Sequence, residues 1–221
     1  MKYRCLIIDH DDTTVDSTPS IHYLAHQEQM KRIGRESETS TLEEWFRVNF
    51  DPGFSVYIDS VLKLSEDEKK ICYDIWREFT TVLTPPFFEG MLGLLRDFRE
   101  KGGIIAVVSH SEPDIIRSHY ENQEEIPGFL PDRIIGWTGE PEKQKPYPWP
   151  VEDIMREFNL SRDEILVVDD LKPGITMALK AGVDSAGVGW SHNLPVIREA
   201  ISKDSTYYLN SIEELRDLVF S

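Results

Sequence analysis

The chain has 221 residues, 40% hydrophobic and 10% aromatic, enough for one packed domain with an inserted module and too apolar for a disordered chain. Its formal charge is −16, with a sequence pI of about 4.8, a surface that repels nucleic-acid phosphates and anionic membranes and so excludes both as expected partners. Two cysteines, Cys5 and Cys72, are too few for a disulfide framework, and Cys5 sits in an apolar run as a buried thiol would. No stretch approaches the roughly 20 apolar residues of a membrane span. MKYRCLII turns acidic at Asp9, too early for a signal peptide, so a soluble cytoplasmic protein is expected.

In chain order, YRCLII (3–8) reads as a buried strand. The next 80 or so residues carry helical periodicity at 21–34, 41–50 and 65–83, the last opening with Ser65 and Glu68 spaced as a capping box. From Pro85-Pro86 onward the pattern alternates. A helix over 90–103 leads to a strand at 104–109, a helix at 113–120 to a strand at 133–136, and a helix at 150–158 to a strand at 164–170. A helix at 173–182, strands at 185–190 and 206–209, and a helix at 211–218 with a second capping box, Ser211 with Glu214, close the chain. Alternation of this kind predicts an α/β fold, a doubly wound parallel-sheet (Rossmann-like) core formed by residues 1–16 and 85–221. Residues 17–84 are expected to form an inserted α-helical cap able to close over the end of the first strand and exclude water.

Ligands of open α/β sheets sit beyond the carboxyl ends of the strands, so the residues at those ends decide the chemistry. They are Asp9, Asp11, Asp12 and Thr13 after the first strand, Ser109, His110 and Ser111 after the second, Lys145 in a following loop, and Asp169-Asp170 at a later strand end. A carboxylate such as Asp9 is a competent nucleophile toward phosphorus. Asp11, two residues on and on the same side of an extended segment, suits a general acid/base. Carboxylates gathered in one place repel unless a hard divalent cation lies among them, and Mg²⁺ held by Asp9, Asp169 and Asp170 serves that need. Ser109 and Lys145 would hold the transferring group. Each feature has a plainer reading: a solvated acidic loop, a helix-capping serine, a surface lysine. Asp169 and Asp170 weigh most, because carboxylates abutting ILVV are costly unless paired or metal-bound. His10 alternates away from Asp9 and Asp11 and reads as packing, while His110 is a candidate substrate contact; Trp190 and His192 default to packing.

These motifs, in this order, resemble the haloacid dehalogenase (HAD) superfamily of aspartyl phosphotransferases across the whole chain, in the manner of phosphoglycolate phosphatases and beta-phosphoglucomutases with a helical cap after the first motif. Asp9-x-Asp11-x-Thr13 matches the first motif, Ser109 the second, Lys145-Pro146 the third and Asp169-Asp170 the fourth. The resemblance implies Asp9 as nucleophile, Asp11 as general acid/base and backbone metal ligand, and Ser109, Lys145, Thr13 and His110 around the phosphate. It also implies Mg²⁺ and a small phosphate ester as substrate. An acid at position 11 argues for phosphate rather than halide chemistry. Two positions depart from the family pattern: Asp12 stands where glycine is usual, and Gly174 where the fourth motif has a second acid, with Asp169 the candidate to replace it. The expected activity is a Mg-dependent phosphomonoester hydrolase, as monomer or dimer. A phosphomutase using the same residues and a non-catalytic phosphate-binding protein are the alternatives, while a signalling receiver would place its acidic pair on the first strand.

Overall fold

The computed structural model describes residues 1–192 and 194–221. In chain order its elements are β1 (Cys5–Ile8), α1 (Tyr23–Arg32), α2 (Leu42–Phe50), α3 (Phe54–Val56), α4 (Glu66–Val82), α5 (Met91–Glu100), β2 (Ile104–Val108) and α6 (Pro113–Asn122). They continue with β3 (Arg133–Ile135), α7 (Trp149–Phe158), β4 (Ile165–Asp169), α8 (Lys172–Ala181), β5 (Asp184–Val188), α9 (Pro195–Asp204), β6 (Tyr207–Leu209) and α10 (Ile212–Phe220). The chain divides into two compact units, Met1–Asp16 with Pro86–Ser221, and Ser17–Pro85. No helix among the described residues is long and apolar enough to cross a membrane.

The first unit holds a parallel sheet of order β3-β2-β1-β4-β5-β6. Strands buried on both faces explain the unbroken apolar runs that the sequence shows. Leu6, Ile8, Val107 and Val168 face a core completed by Leu92, Leu95 and Phe98 of α5 and Leu215 of α10. Cys5, Ile7, Ala106 and Val167 face the opposite layer, against Val151 and Ile154 of α7 and Met177 and Ala178 of α8. Order and layers make the doubly wound α/β fold that the alternation predicts.

Register sets the functional rim. Ile8 pairs with Val107 on one side and Val168 on the other. The next residue, Asp9, therefore lies level with Asp169 and one step short of Ser109, and its N–H donates to the Val168 carbonyl at 2.9 Å. Three separate apolar runs thus deliver their first polar residues to one place.

The second unit is helical, with Met30, Trp45, Tyr57, Leu62 and Leu64 at its centre. Its α4 begins with the expected capping box: Ser65 Oγ accepts from Glu68 N, and Glu68 Oε2 accepts from Ser65 N at 2.8 Å. Thr41 and Glu44 form another at α2. At α10 the expected box is only half made. Ser211 Oγ accepts from Glu214 N, but the Glu214 carboxylate takes the N–H of Asn210 instead of Ser211. Glu214 Oε2 also faces the Asn210 side-chain amide at 3.3 Å, so both donors of Asn210 draw the carboxylate one residue upstream, which sequence spacing does not reveal.

His26 lies buried at the centre of this unit, its ring stacked on Trp45 at 4.1 Å between centroids, with Nε2 accepting from the Ser40 backbone N–H at 3.4 Å. Burial pushes its imidazole down to about 4. In the unfolded chain it titrates near 6.5, so on acidification from about pH 6.5 to 4 the unfolded state binds the extra proton and stability is lost as the pH is lowered. The fall is expected to reach about 2–3 kcal/mol. Denaturant unfolding of the parent and of His26→Phe across this window checks it: the parent is expected to lose that much more stability than the variant, and parallel profiles would refute the assignment.

Candidate active site

The end of β1 and the end of β4 meet across a buried lysine. Lys145 Nζ lies 2.8 Å from Asp9 Oδ1 and 2.8 Å from Asp169 Oδ2, with all three side chains almost wholly enclosed. The Leu171 N–H donates to Asp169 Oδ1 at 2.9 Å, so both oxygens of Asp169 are held. Asp170 is fixed reciprocally by Thr13, whose Oγ1 donates to Asp170 Oδ1 and accepts from Asp170 N, both at 3.1 Å. Thr14 Oγ1 donates to the Asp9 carbonyl at 2.5 Å. The loop closes on itself because the His10 carbonyl accepts from Thr14 N and Val15 N.

The cluster is electrostatically unfinished. Burial pushes the Asp9 carboxyl up to about 8, Lys145 pulling it down and Asp169 pushing it further up. Burial and the neighbouring Asp9 and Asp169 likewise raise Asp170. Burial alone would lower the Lys145 ammonium, but Asp169 and Asp9 outweigh it and hold it charged. Asp9, Asp169 and Asp170 each offer one oxygen, and these lie within 4.8 Å of one another. Three buried carboxylates face one ammonium, a deficit of two positive charges that bare protein does not tolerate cheaply. Hard oxygen donors with a double charge deficit fit a divalent cation of the Mg²⁺ type.

Asp11 sits beside this cluster under two hydroxyls. Its Oδ2 accepts from Ser111 Oγ at 2.6 Å and from Ser109 Oγ at 3.3 Å, and Ser109 Oγ in turn accepts from Ser111 N at 3.0 Å. His110 keeps an exposed face and donates from Nε2 to the Lys145 carbonyl at 3.0 Å, so it braces the lysine's backbone. His10 is fully buried on the far side, Nε2 2.9 Å from His119 Nδ1 and its ring stacked on that of His119. The structure thus gathers Asp9, Asp11, Thr13, Ser109, Lys145, Asp169 and Asp170 at one rim and turns His10 into the core.

The profile of the haloacid dehalogenase-like hydrolase family matches residues 6–188, most of the chain. The chain belongs to this family of hydrolytic enzymes. It is similar to a phosphoglycolate phosphatase of Vibrio vulnificus (strain CMCP6), 23% identical over 98% of this chain and 96% of that protein. Among solved structures, a haloacid dehalogenase-like hydrolase from Streptococcus pneumoniae superposes with a TM-score of 0.77 at 18% identity, covering 100% of this chain and 99% of that one. A mutant CbbY from Rhodobacter sphaeroides, in complex with xylulose-(1,5)bisphosphate, superposes with a TM-score of 0.73 at 16% identity over 96% of both chains. These structural likenesses establish the fold.

Both departures from the haloacid dehalogenase pattern have a geometric account. Asp12 takes φ +56°, the left-handed region, and its N–H closes a turn on the Val15 carbonyl at 2.8 Å. Aspartate enters that region more readily than most residues, which is how it stands in for glycine. Gly174 is empty because Asp169 fills its place: a Cβ added there would lie 1.8 Å from Asp169 Oδ2 and 2.6 Å from Asp169 Cβ. Two residues to which the sequence assigns no role in the site, Ser111 at the strand end and Trp190 as packing, also bear on it. Ser111 holds Asp11, and Trp190 donates from Nε1 to the Thr13 carbonyl at 3.0 Å, tying the end of β5 to the loop after β1. The second hydroxyl of Ser109-His110-Ser111 was the available signal for the first.

Proposed function

We propose that this haloacid dehalogenase-like hydrolase is a Mg²⁺-dependent phosphatase of a small phosphorylated metabolite, working through a phosphoryl group on Asp9. The observation that carries the reading is the buried Asp9–Lys145–Asp169 ion pairing with Asp170 alongside, a nucleophile and a charge deficit in one place. The phosphoglycolate phosphatase relative supports the substrate class.

In the first step an Asp9 oxygen bonds to phosphorus as the ester P–O bond breaks, and Asp11 gives its proton to the departing oxygen. In the second, water attacks phosphorus, its proton passes to Asp11, and the Asp9–phosphorus bond breaks to release inorganic phosphate. Lys145 and Ser109 hold the phosphoryl oxygens, and Lys145 keeps Asp9 aimed. The Asp9 and Asp170 side chains, Asp169 and the Asp11 backbone would hold Mg²⁺, which supplies charge neutralisation of these carboxylates and of the phosphate.

A panel of phosphorylated metabolites, with phosphoglycolate and sugar phosphates among them, assayed for inorganic phosphate tests the reading. Activity is expected with Mg²⁺ and at least ~100-fold less with EDTA. Undiminished release in EDTA, or isomerised sugar phosphate without phosphate release, would overturn it.

A further inference from the structure

Ser109 has a conflict of duties that hydrogen counting exposes. A serine hydroxyl carries one proton and accepts through its lone pairs. Ser109 Oγ accepts from the Ser111 N–H at 3.0 Å and faces Asp11 Oδ2 at 3.3 Å, so its one proton is turned toward that carboxyl. Binding a phosphoryl oxygen requires the same proton. When Ser109 turns to phosphate, Asp11 loses that contact at the moment its position matters most.

Ser111 resolves the conflict. Its buried hydroxyl meets the same Asp11 oxygen at 2.6 Å, much the shorter of the two contacts. Its own N–H meanwhile fixes the lone-pair side of Ser109, leaving the Ser109 proton to swing outward. We propose that Ser111 is the positioning residue for the general acid/base: it pins Asp11 through Oδ2, so that Oδ1 carries the transferable proton, and thereby releases Ser109 for the phosphoryl group. This inference rests on the phosphatase reading above and assigns a separate duty to each serine of the Ser109-His110-Ser111 turn.

Proton donation to the leaving oxygen matters greatly for an alkyl phosphate, whose alkoxide is a poor leaving group. It matters little for p-nitrophenyl phosphate, whose phenolate departs unaided. The test compares kcat/KM, which covers phosphoryl transfer to the enzyme, for glycerol phosphate and p-nitrophenyl phosphate in the parent, Ser111→Ala, Ser111→Thr and Ser109→Ala enzymes. Ser111→Ala is expected to lose ~10–100-fold on the alkyl ester and under ~3-fold on the aryl ester. Its inhibition constant for inorganic phosphate is expected to stay within ~2-fold, because the phosphate contact belongs to Ser109. Ser111→Thr, which keeps the hydroxyl, is expected to recover most of the loss, and Ser109→Ala to weaken phosphate inhibition. Partial unfolding scales both esters equally and cannot produce the contrast. Equal losses on the two esters, or a loss appearing as weaker phosphate inhibition, would overturn the assignment. A parent enzyme with no Mg²⁺-dependent phosphate release would instead overturn the phosphatase reading on which it rests.

Discussion

Asp9→Asn is expected to lower phosphate release by at least ~10³-fold, about 4 kcal/mol of barrier, with the fold retained. Asparagine copies the shape of aspartate, and its amide cannot form the acyl-phosphate bond. Structurally the exchange is close to balanced. The variant loses the 2.8 Å ion pair with Lys145, but it also removes one of three mutually repelling carboxylates, whose burial pushes Asp9 up to about 8. Lys145 keeps Asp169 as its second partner at 2.8 Å, so no buried charge is left alone. The expected stability change is therefore within about 2 kcal/mol, well below the cost of stranding a buried ion. Circular dichroism and a melting curve establish the fold, and a phosphate-release assay gives the rate. A variant that hydrolyses p-nitrophenyl phosphate at the parent rate would remove Asp9 from the chemistry. A variant that has unfolded would be replaced by Asp9→Glu, which keeps the charge and displaces the nucleophile by one methylene; the same loss of rate is expected.

What the sequence made legible follows from where its information lies. The runs CLII, IIAVV and ILVV are apolar on both faces, so they had to be central strands, and the first polar residue after each had to stand at a strand end. Parallel pairing then brings Asp9 level with Asp169 whatever the loops do. Helix starts were readable where a single hydroxyl and a single carboxylate face one another, as at Ser65 and Glu68. Such spacing fails at Ser211, where the Glu214 carboxylate is drawn instead to the backbone and side-chain amides of Asn210. The Ser111–Asp11 and Trp190–Thr13 contacts were hidden for a different reason. Each joins two loops that emerge from different strands, and the angstrom-scale approach of one loop to another is set by backbone turns such as the left-handed Asp12, not by periodicity.

Gly174→Ala is expected to cost about 3 kcal/mol of stability and ~10²-fold of activity, far more than a methyl group at a helix N-terminus ordinarily does. On a helix, alanine in place of glycine is usually stabilising. Here the added carbon would stand 1.8 Å from Asp169 Oδ2, 2.1 Å from its Cγ and 2.6 Å from its Cβ. Turning the aspartate about its side-chain torsions relieves the first two overlaps and not the third. Either the start of α8 must move or Asp169 must leave Lys145, which breaks a buried pair. On this backbone positions 169 and 174 therefore cannot both carry side chains, and we propose that the strand end supplies the carboxylate that the haloacid dehalogenase pattern places at the later position. The exchange predicts its own rescue. Asp169→Gly alone strips Lys145 of one partner, and Gly174→Asp alone collides, but the double variant frees the space and roots a carboxylate where the Asp169 oxygens now lie. Each single variant is expected to need more Mg²⁺ for half-maximal activity, and the double variant is expected to regain activity to within ~10-fold of the parent, a strongly non-additive cycle. Melting temperatures give an independent reading of the same cycle without substrate or metal. If the two single losses merely add, in activity and in melting temperature alike, Asp169 is not the replacement for the missing acid.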